Sequence, residues 1–279
     1  MLKHFSSKFL IAGPCSLESE SLSLEVASQL KKISEKFKLP IIFKGSWDKA
    51  NRTSASSYRG LGLSKGLKVL SKVKKDFNMP VLTDVHETSQ VKKVCSVVDV
   101  IQIPAFLCRQ TDLLLECGKR AQVVNVKKGQ FMHPEDMKYA IDKVKHGGDA
   151  EVLLCERGSS FGYKNLVVDM RSIAIMKQYA NVVFDATHSV QLPGGGDGKS
   201  SGERHFVEPL AKAALAAGAI GLFLETHPDP NNAMSDGPNM IPLNELDDNP
   251  TQMYSDRYTS FGPDTLWLDE KLGVTFPVS

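Results

Sequence analysis

Lys44, Lys49, Asn51, Arg52 and Thr53 crowd into one stretch directly behind the apolar run Pro40-Ile41-Ile42. An ammonium is a compact charge and a guanidinium a planar fork, and together they suit a small ligand with several anionic groups. Polar residues sit at other apolar runs too. Asp84 and His86 follow Val81 to Thr83, and Gln102 lies near the end of Val98 to Ile103. Lys127 follows Val123 to Val126, and Glu156 with Arg157 follows Val152 to Leu154. Brought together, Lys44, Lys49, Arg52, Lys127 and Arg157 repel one another unless anions neutralise them. Two phosphorylated substrates, or a phosphate and a carboxylate, would do so. A solvated basic loop is the plainer alternative for each charge taken alone.

A second set is Cys15, His188, Glu225 and Asp236. A thiolate, an imidazole and two carboxylates suit a divalent zinc, iron or manganese ion and do not suit calcium. No HxxxH or CxxC spacing announces this set. Cys15 could equally be a buried hydrophobe, His188 a core histidine, and Asp236 a turn residue beside Gly237-Pro238.

Both sets need elements that bring distant residues together. Eight short apolar runs recur along the chain: Phe9 to Ala12, Ile41 to Phe43, Val81 to Thr83, Val98 to Ile103, Val123 to Val126, Val152 to Leu154, Val182 to Phe184 and Gly221 to Leu224. Continuous Val/Ile/Leu runs read as strands buried on both faces, as in a parallel sheet. Amphipathic stretches lie between them, among them Leu17 to Phe37, Gly66 to Phe77, Pro134 to Lys145 and Glu203 to Ala217. Eight alternations predict an α/β fold of the (β/α)8 TIM-barrel type. A doubly wound sheet is the rival, but no Gly-x-Gly-x-x-Gly follows the first strand. In a barrel, chemistry belongs at the C-terminal ends of the strands, which is where these polar residues fall.

The net charge of +2 gives no general pull towards nucleic acid or membrane, so a basic site must be local and its ligand small. No apolar run is long enough to span a bilayer, and the N-terminus lacks the apolar core of a signal peptide. Five scattered cysteines without CxxC spacing predict a reducing, cytoplasmic location.

Several stretches resemble the 3-deoxy-D-manno-octulosonate 8-phosphate synthase family. They are Ile11-Ala12-Gly13-Pro14-Cys15, Asp48-Lys49-Ala50-Asn51-Arg52, the run from Gln102 to Asp112, and Asn125 to Phe131. Glu156-Arg157-Gly158, Phe161-Gly162-Tyr163, Asp185 to Gln191 and Glu225-Thr226-His227-Pro228 complete the series. The sister family, 3-deoxy-D-arabino-heptulosonate 7-phosphate synthase, has Lys-Pro-Arg-Thr where this chain has Lys49-Ala50-Asn51-Arg52.

The resemblance implies condensation of phosphoenolpyruvate with arabinose 5-phosphate for a lipopolysaccharide sugar, by a homotetramer. It implies that Lys44, Lys49, Lys127 and Arg157 hold phosphoenolpyruvate, with Gln102 also at the substrates. Asn51, Arg52 and Thr53 would hold arabinose 5-phosphate, with Arg109 reaching in from a neighbouring subunit. It further implies a divalent metal on Cys15, His188, Glu225 and Asp236, because cysteine at position 15 marks the metal-dependent branch. Lys127 is then the expected proton donor, with Asp236, or Asp84 with His86, as base. A related synthase using another sugar, and a catalytically silent barrel, are the alternative readings.

The resemblance ends near residue 245. Ile241 to Leu246 begins as if to form a closing helix, and Asp247-Asp248-Asn249-Pro250 interrupts it. One barrel domain over residues 1–279 is expected, with 247–279 an atypical tail.

Overall fold

Eight parallel strands close into a barrel, as the recurring apolar runs predict. The computed structural model describes residues 7–193 and 201–246. The barrel strands are β1 (Phe9–Gly13), β2 (Ile41–Lys44), β3 (Val81–Asp84), β4 (Val100–Ile103), β5 (Val123–Lys127), β6 (Glu151–Glu156), β7 (Asn181–Asp185) and β8 (Gly221–His227). Closure comes from β1 against β8, in register from Phe9 opposite Gly221 to Gly13 opposite Glu225.

Seven α-helices among the described residues wrap the barrel. They are α1 (Glu20–Phe37), α2 (Leu63–Phe77), α3 (Thr88–Cys95), α4 (Thr111–Arg120), α5 (Met137–Gly147), α6 (Arg171–Met176) and α7 (Val207–Ala216). Helix α1 starts later than Leu17 because Ser19 caps it, its hydroxyl accepting from the Leu22 amide at 3.1 Å. Pro134–Asp136 and Arg204–Phe206 are 3-10 turns leading into α5 and α7, so each expected helix splits near its start.

Successive strand residues point to opposite sides, which sorts the core into two parts. Phe9, Ile11, Ile42, Leu82, Val100, Val123, Leu153, Cys155, Val183 and Phe223 fill the barrel interior. Leu10, Ala12, Ile41, Phe43, Val124, Val126 and Leu222 face the helices instead. Counting two residues onward from the inward set reaches Lys44, Asp84, Gln102, Asn125, Arg157, Asp185 and Glu225, and two more along the fifth strand reaches Lys127. One alternation thus builds an apolar floor and a charged mouth.

Ile241–Leu246 does not start a helix. Ile241–Pro242 instead pairs in parallel with Thr226–His227 at the end of β8, and turns follow to Leu246. The expected interruption at 247–250 and the tail to 279 lie outside the described residues. No helix among the described residues is long and apolar enough to cross a membrane.

Candidate active site

The charged mouth opens into a cavity of about 1370 Å³ lined by Lys44, Lys49, Asn51, Arg52, Thr53, Asp84, Gln102, Lys127, Arg157, His188 and Asp236. Cys15 and Glu225 lie buried beneath it. Thirteen of the residues singled out from sequence are therefore brought together. His86 stands behind them, its Nε2 3.0 Å from Asp84 Oδ2. Arg109 does not line the cavity; it is exposed after β4, and its carbonyl accepts from Lys143 Nζ at 2.8 Å.

The cations are less uncompensated than their sequence positions imply. Lys44 Nζ donates to Glu225 Oε1 at 2.9 Å and to the Cys15 carbonyl at 2.7 Å. Lys127 Nζ donates to Asp185 Oδ2 at 2.5 Å and lies 4.1 Å from the centre of the Phe223 ring. Lys49 Nζ lies 3.3 Å from Asp236 Oδ2. Among the described residues, Arg52 and Arg157 form no ion pair. Arg52 donates to the Met234 carbonyl at 3.2 Å, and Arg157 donates to Gln191 Oε1 at 2.9 Å. The Arg157 Nη1 is buried without a partner, and burial lowers the guanidinium's pKa. A buried guanidinium without a carboxylate is an anion site in waiting.

Ligand atoms of Cys15, Glu225 and Asp236 all lie within 4.8 Å of one another. His188 approaches from the side, its Nε2 3.4 Å from Glu225 Oε2. Its Nδ1 lies 3.0 Å from Asp185 Oδ1, so that carboxylate fixes the ring and leaves Nε2 on the Glu225 side. Glu225 Oε2 is buried and has no hydrogen-bond partner, an orphan that a cation would satisfy. Cys15 and Asp236 both adopt positive φ, 64° and 48°, in the left-handed region where non-glycine residues are strained. The donor set and the orphan oxygen both fit a divalent ion.

Burial chiefly raises the Cys15 thiol, and Glu225 adds to the rise. Burial alone would also raise Asp236, but the charges of Lys49 and His188 outweigh it and hold the carboxyl well below its usual range. Asp84 behaves likewise through its hydrogen bond and charge interaction with His86.

Sequence reasoning underrated three residues. Glu156 sits one step out of the inward alternation, so it turns from the mouth. Its Oε1 accepts from the Arg157 and Gly158 amides at 2.9 and 2.6 Å, and its Oε2 from Ser172 Oγ at 2.5 Å. Buried Lys128 lies 3.4 Å from it, so the neighbour of Lys127 anchors the Arg157 loop. Gln191 lies between Arg157 and Asp236; it closes the stretch from Asp185 that resembles the family, but a glutamine's type and spacing carry no signal for such a position. The strand alternation could have flagged Glu156; nothing in the spacing flags Gln191.

Residues 6–259 match the family model described as the DAHP synthetase I family. A 2-dehydro-3-deoxyphosphooctonate aldolase of Dichelobacter nodosus is 57% identical over 239 residues, covering 85% of this chain and 86% of the relative. The protein of the same name from Desulfotalea psychrophila is 57% identical over 240 residues, covering 86% of each. That of Legionella pneumophila is 56% identical over 239 residues, covering 85% of this chain and 87% of the relative.

Proposed function

The chain belongs to the DAHP synthetase I family, and we propose that it condenses phosphoenolpyruvate, D-arabinose 5-phosphate and water to 3-deoxy-D-manno-octulosonate 8-phosphate and phosphate. The observation that carries the reading is that cations suited to two separate anionic substrates line one cavity, with the thiol–carboxylate cluster of Cys15, Glu225 and Asp236 at its base. The shared name of relatives above 55% identity supports this substrate pair over a related sugar.

In this reaction, C3 of the enolpyruvyl group bonds to the aldehyde carbon, and the aldehyde oxygen takes up a proton. Water adds at the carbon bearing the phosphate ester and gives up its protons as the C–O bond to phosphate breaks. Arg157 is the cation available for the phosphate of phosphoenolpyruvate, because no carboxylate neutralises it. Arg52, with Asn51 and Thr53, lines the outer part of the cavity and suits the sugar phosphate. Lys44 and Lys127, each held by a buried carboxylate, present fixed ammonium groups to the developing charge. Lys127 donates the proton in this scheme. Asp84 and Asp236 are both held below the usual carboxyl range, which makes each a weak base. Gln102, held by Asn125 Nδ2 at 3.1 Å, adds a neutral contact to the cavity wall.

Cys15, His188, Glu225 and Asp236 would hold a divalent zinc, iron or manganese ion, which supplies Lewis acidity and orients the aldehyde end or a water molecule. A homotetramer working in the cytoplasm completes the reading. The test is phosphate release from the two substrates after chelator stripping and resupply of divalent ions. Activity that disappears and returns is expected. Activity surviving complete stripping would sink the metal assignment alone. Preference for erythrose 4-phosphate over arabinose 5-phosphate would overturn the substrate assignment.

A further inference from the structure

Gln191 joins two parts of the site that no other described side chain connects. Its Oε1 accepts from Arg157 Nη2 at 2.9 Å, and its Nε2 donates to Asp236 Oδ1 at 3.1 Å. It is buried, and its backbone is fixed. Its amide donates to the His188 carbonyl at the end of a 3-10 turn, and its short strand pairs with Ser201–Gly202. Gln191 is the only hydrogen-bond partner of the Arg157 guanidinium among the described residues.

Chemistry restricts what can stand between a guanidinium and a carboxylate. A carboxylate at 191 would neutralise Arg157 and repel Asp236. A cation would do the reverse. An apolar side chain would leave the Arg157 guanidinium without a hydrogen-bond partner and take the donor from Asp236 Oδ1. A primary amide accepts from one and donates to the other without adding charge, and asparagine is a methylene too short to span the same gap.

The geometry points to Gln191 as a positioning residue, a neutral adaptor that orients Arg157 without cancelling its charge and keeps Asp236 Oδ2 turned towards Cys15. This rests on the functional reading above. Because one amide holds both groups, a single substitution disturbs anion binding and metal binding together.

The test compares the unsubstituted protein with Gln191→Met and Gln191→Glu, each with its melting temperature checked. Gln191→Met keeps the length and removes both hydrogen bonds. It is expected to raise KM for phosphoenolpyruvate about tenfold while kcat stays within about threefold. Titration of stripped protein with cobalt(II), followed by thiolate-to-cobalt absorption, should show binding weakened about tenfold. Gln191→Glu is nearly isosteric, remains readable should the methionine variant fail to fold, and should raise KM further by pairing with Arg157. Unchanged KM and cobalt(II) affinity in both variants would overturn the inference. So would a fall in kcat that merely follows a lowered melting temperature. If the unsubstituted protein released no phosphate, the synthase reading would fail by itself, and the cobalt(II) titration would still decide the adaptor role.

Discussion

Asp84 and His86 show how one contact sets two charges. Burial, the largest influence on each, opposes the charged form, yet their mutual hydrogen bond and attraction outweigh it. Asp84 is held below the usual carboxyl range, and His86 is raised above its usual value. Trp47 supports the pair from behind, its Nε1 donating to the Asp84 carbonyl at 2.9 Å and its ring meeting the His86 ring edge-on. The signs fix a stability window. The His86 contribution is complete below about pH 6.5, the unfolded value, and is lost as pH rises through the raised folded value. The Asp84 contribution is present above about pH 4 and is lost as pH falls through the depressed folded value. Asp84→Asn should therefore lower the His86 pKa, because the hydrogen bond and attraction that raise it are lost; the shift is read from its imidazole proton shifts against pH. It should also flatten the pH dependence of unfolding across that window. An unmoved His86 titration would show that the contact does not set its charge.

At the scale of elements, the barrel was legible because its strands are buried on both faces, so each appears as an unbroken apolar run. The charged mouth was legible for a related reason: position relative to strand ends decides which side chains meet. The geometry of the Asp236 loop was not legible. That loop is held by contacts far apart in sequence, with Ser16 and Ser235 hydroxyls 2.9 Å apart and the Met234 amide donating to Glu18 Oε1 at 2.8 Å. Helix α4 presents a second feature hidden from sequence. A Cβ at Gly118 would meet the Val144 carbonyl of α5 at 1.9 Å, and one at Gly147 would meet the Leu115 carbonyl of α4 at 2.0 Å. The two helices touch backbone to backbone. Replacing a helical glycine by alanine ordinarily stabilises by about 0.5–1 kcal/mol. Here the clash reverses the sign, and Gly118→Ala should destabilise by about 1–3 kcal/mol in denaturant unfolding. Phosphate release by the folded fraction should be unchanged, since α4 and α5 supply no cavity residue. A more stable variant would refute the packing argument.

Across the whole molecule, one chain leaves the mouth open and edged with apolar side chains. Phe106, Phe131, Phe161 and Tyr163 are exposed on the loops that follow β4, β5 and β6. Arg109 projects from the same side of the barrel without reaching its own cavity, although the family resemblance makes it a ligand of the sugar phosphate. Both facts are accounted for if Arg109 serves the site of a neighbouring copy. Complementation tests this directly. Lys127→Ala removes the proton donor from a chain's own site, while Arg109→Ala removes the phosphate contact from its neighbour's. Each pure variant should release little phosphate. Unfolding and refolding the two together should restore activity, because some sites then combine an intact Lys127 from one chain with an intact Arg109 from the next. Sedimentation should show mixed and pure assemblies of equal size. If the mixture is no more active than the two variants assayed apart, Arg109 does not act across the interface, and the sugar phosphate must be held by Arg52 and its neighbours alone.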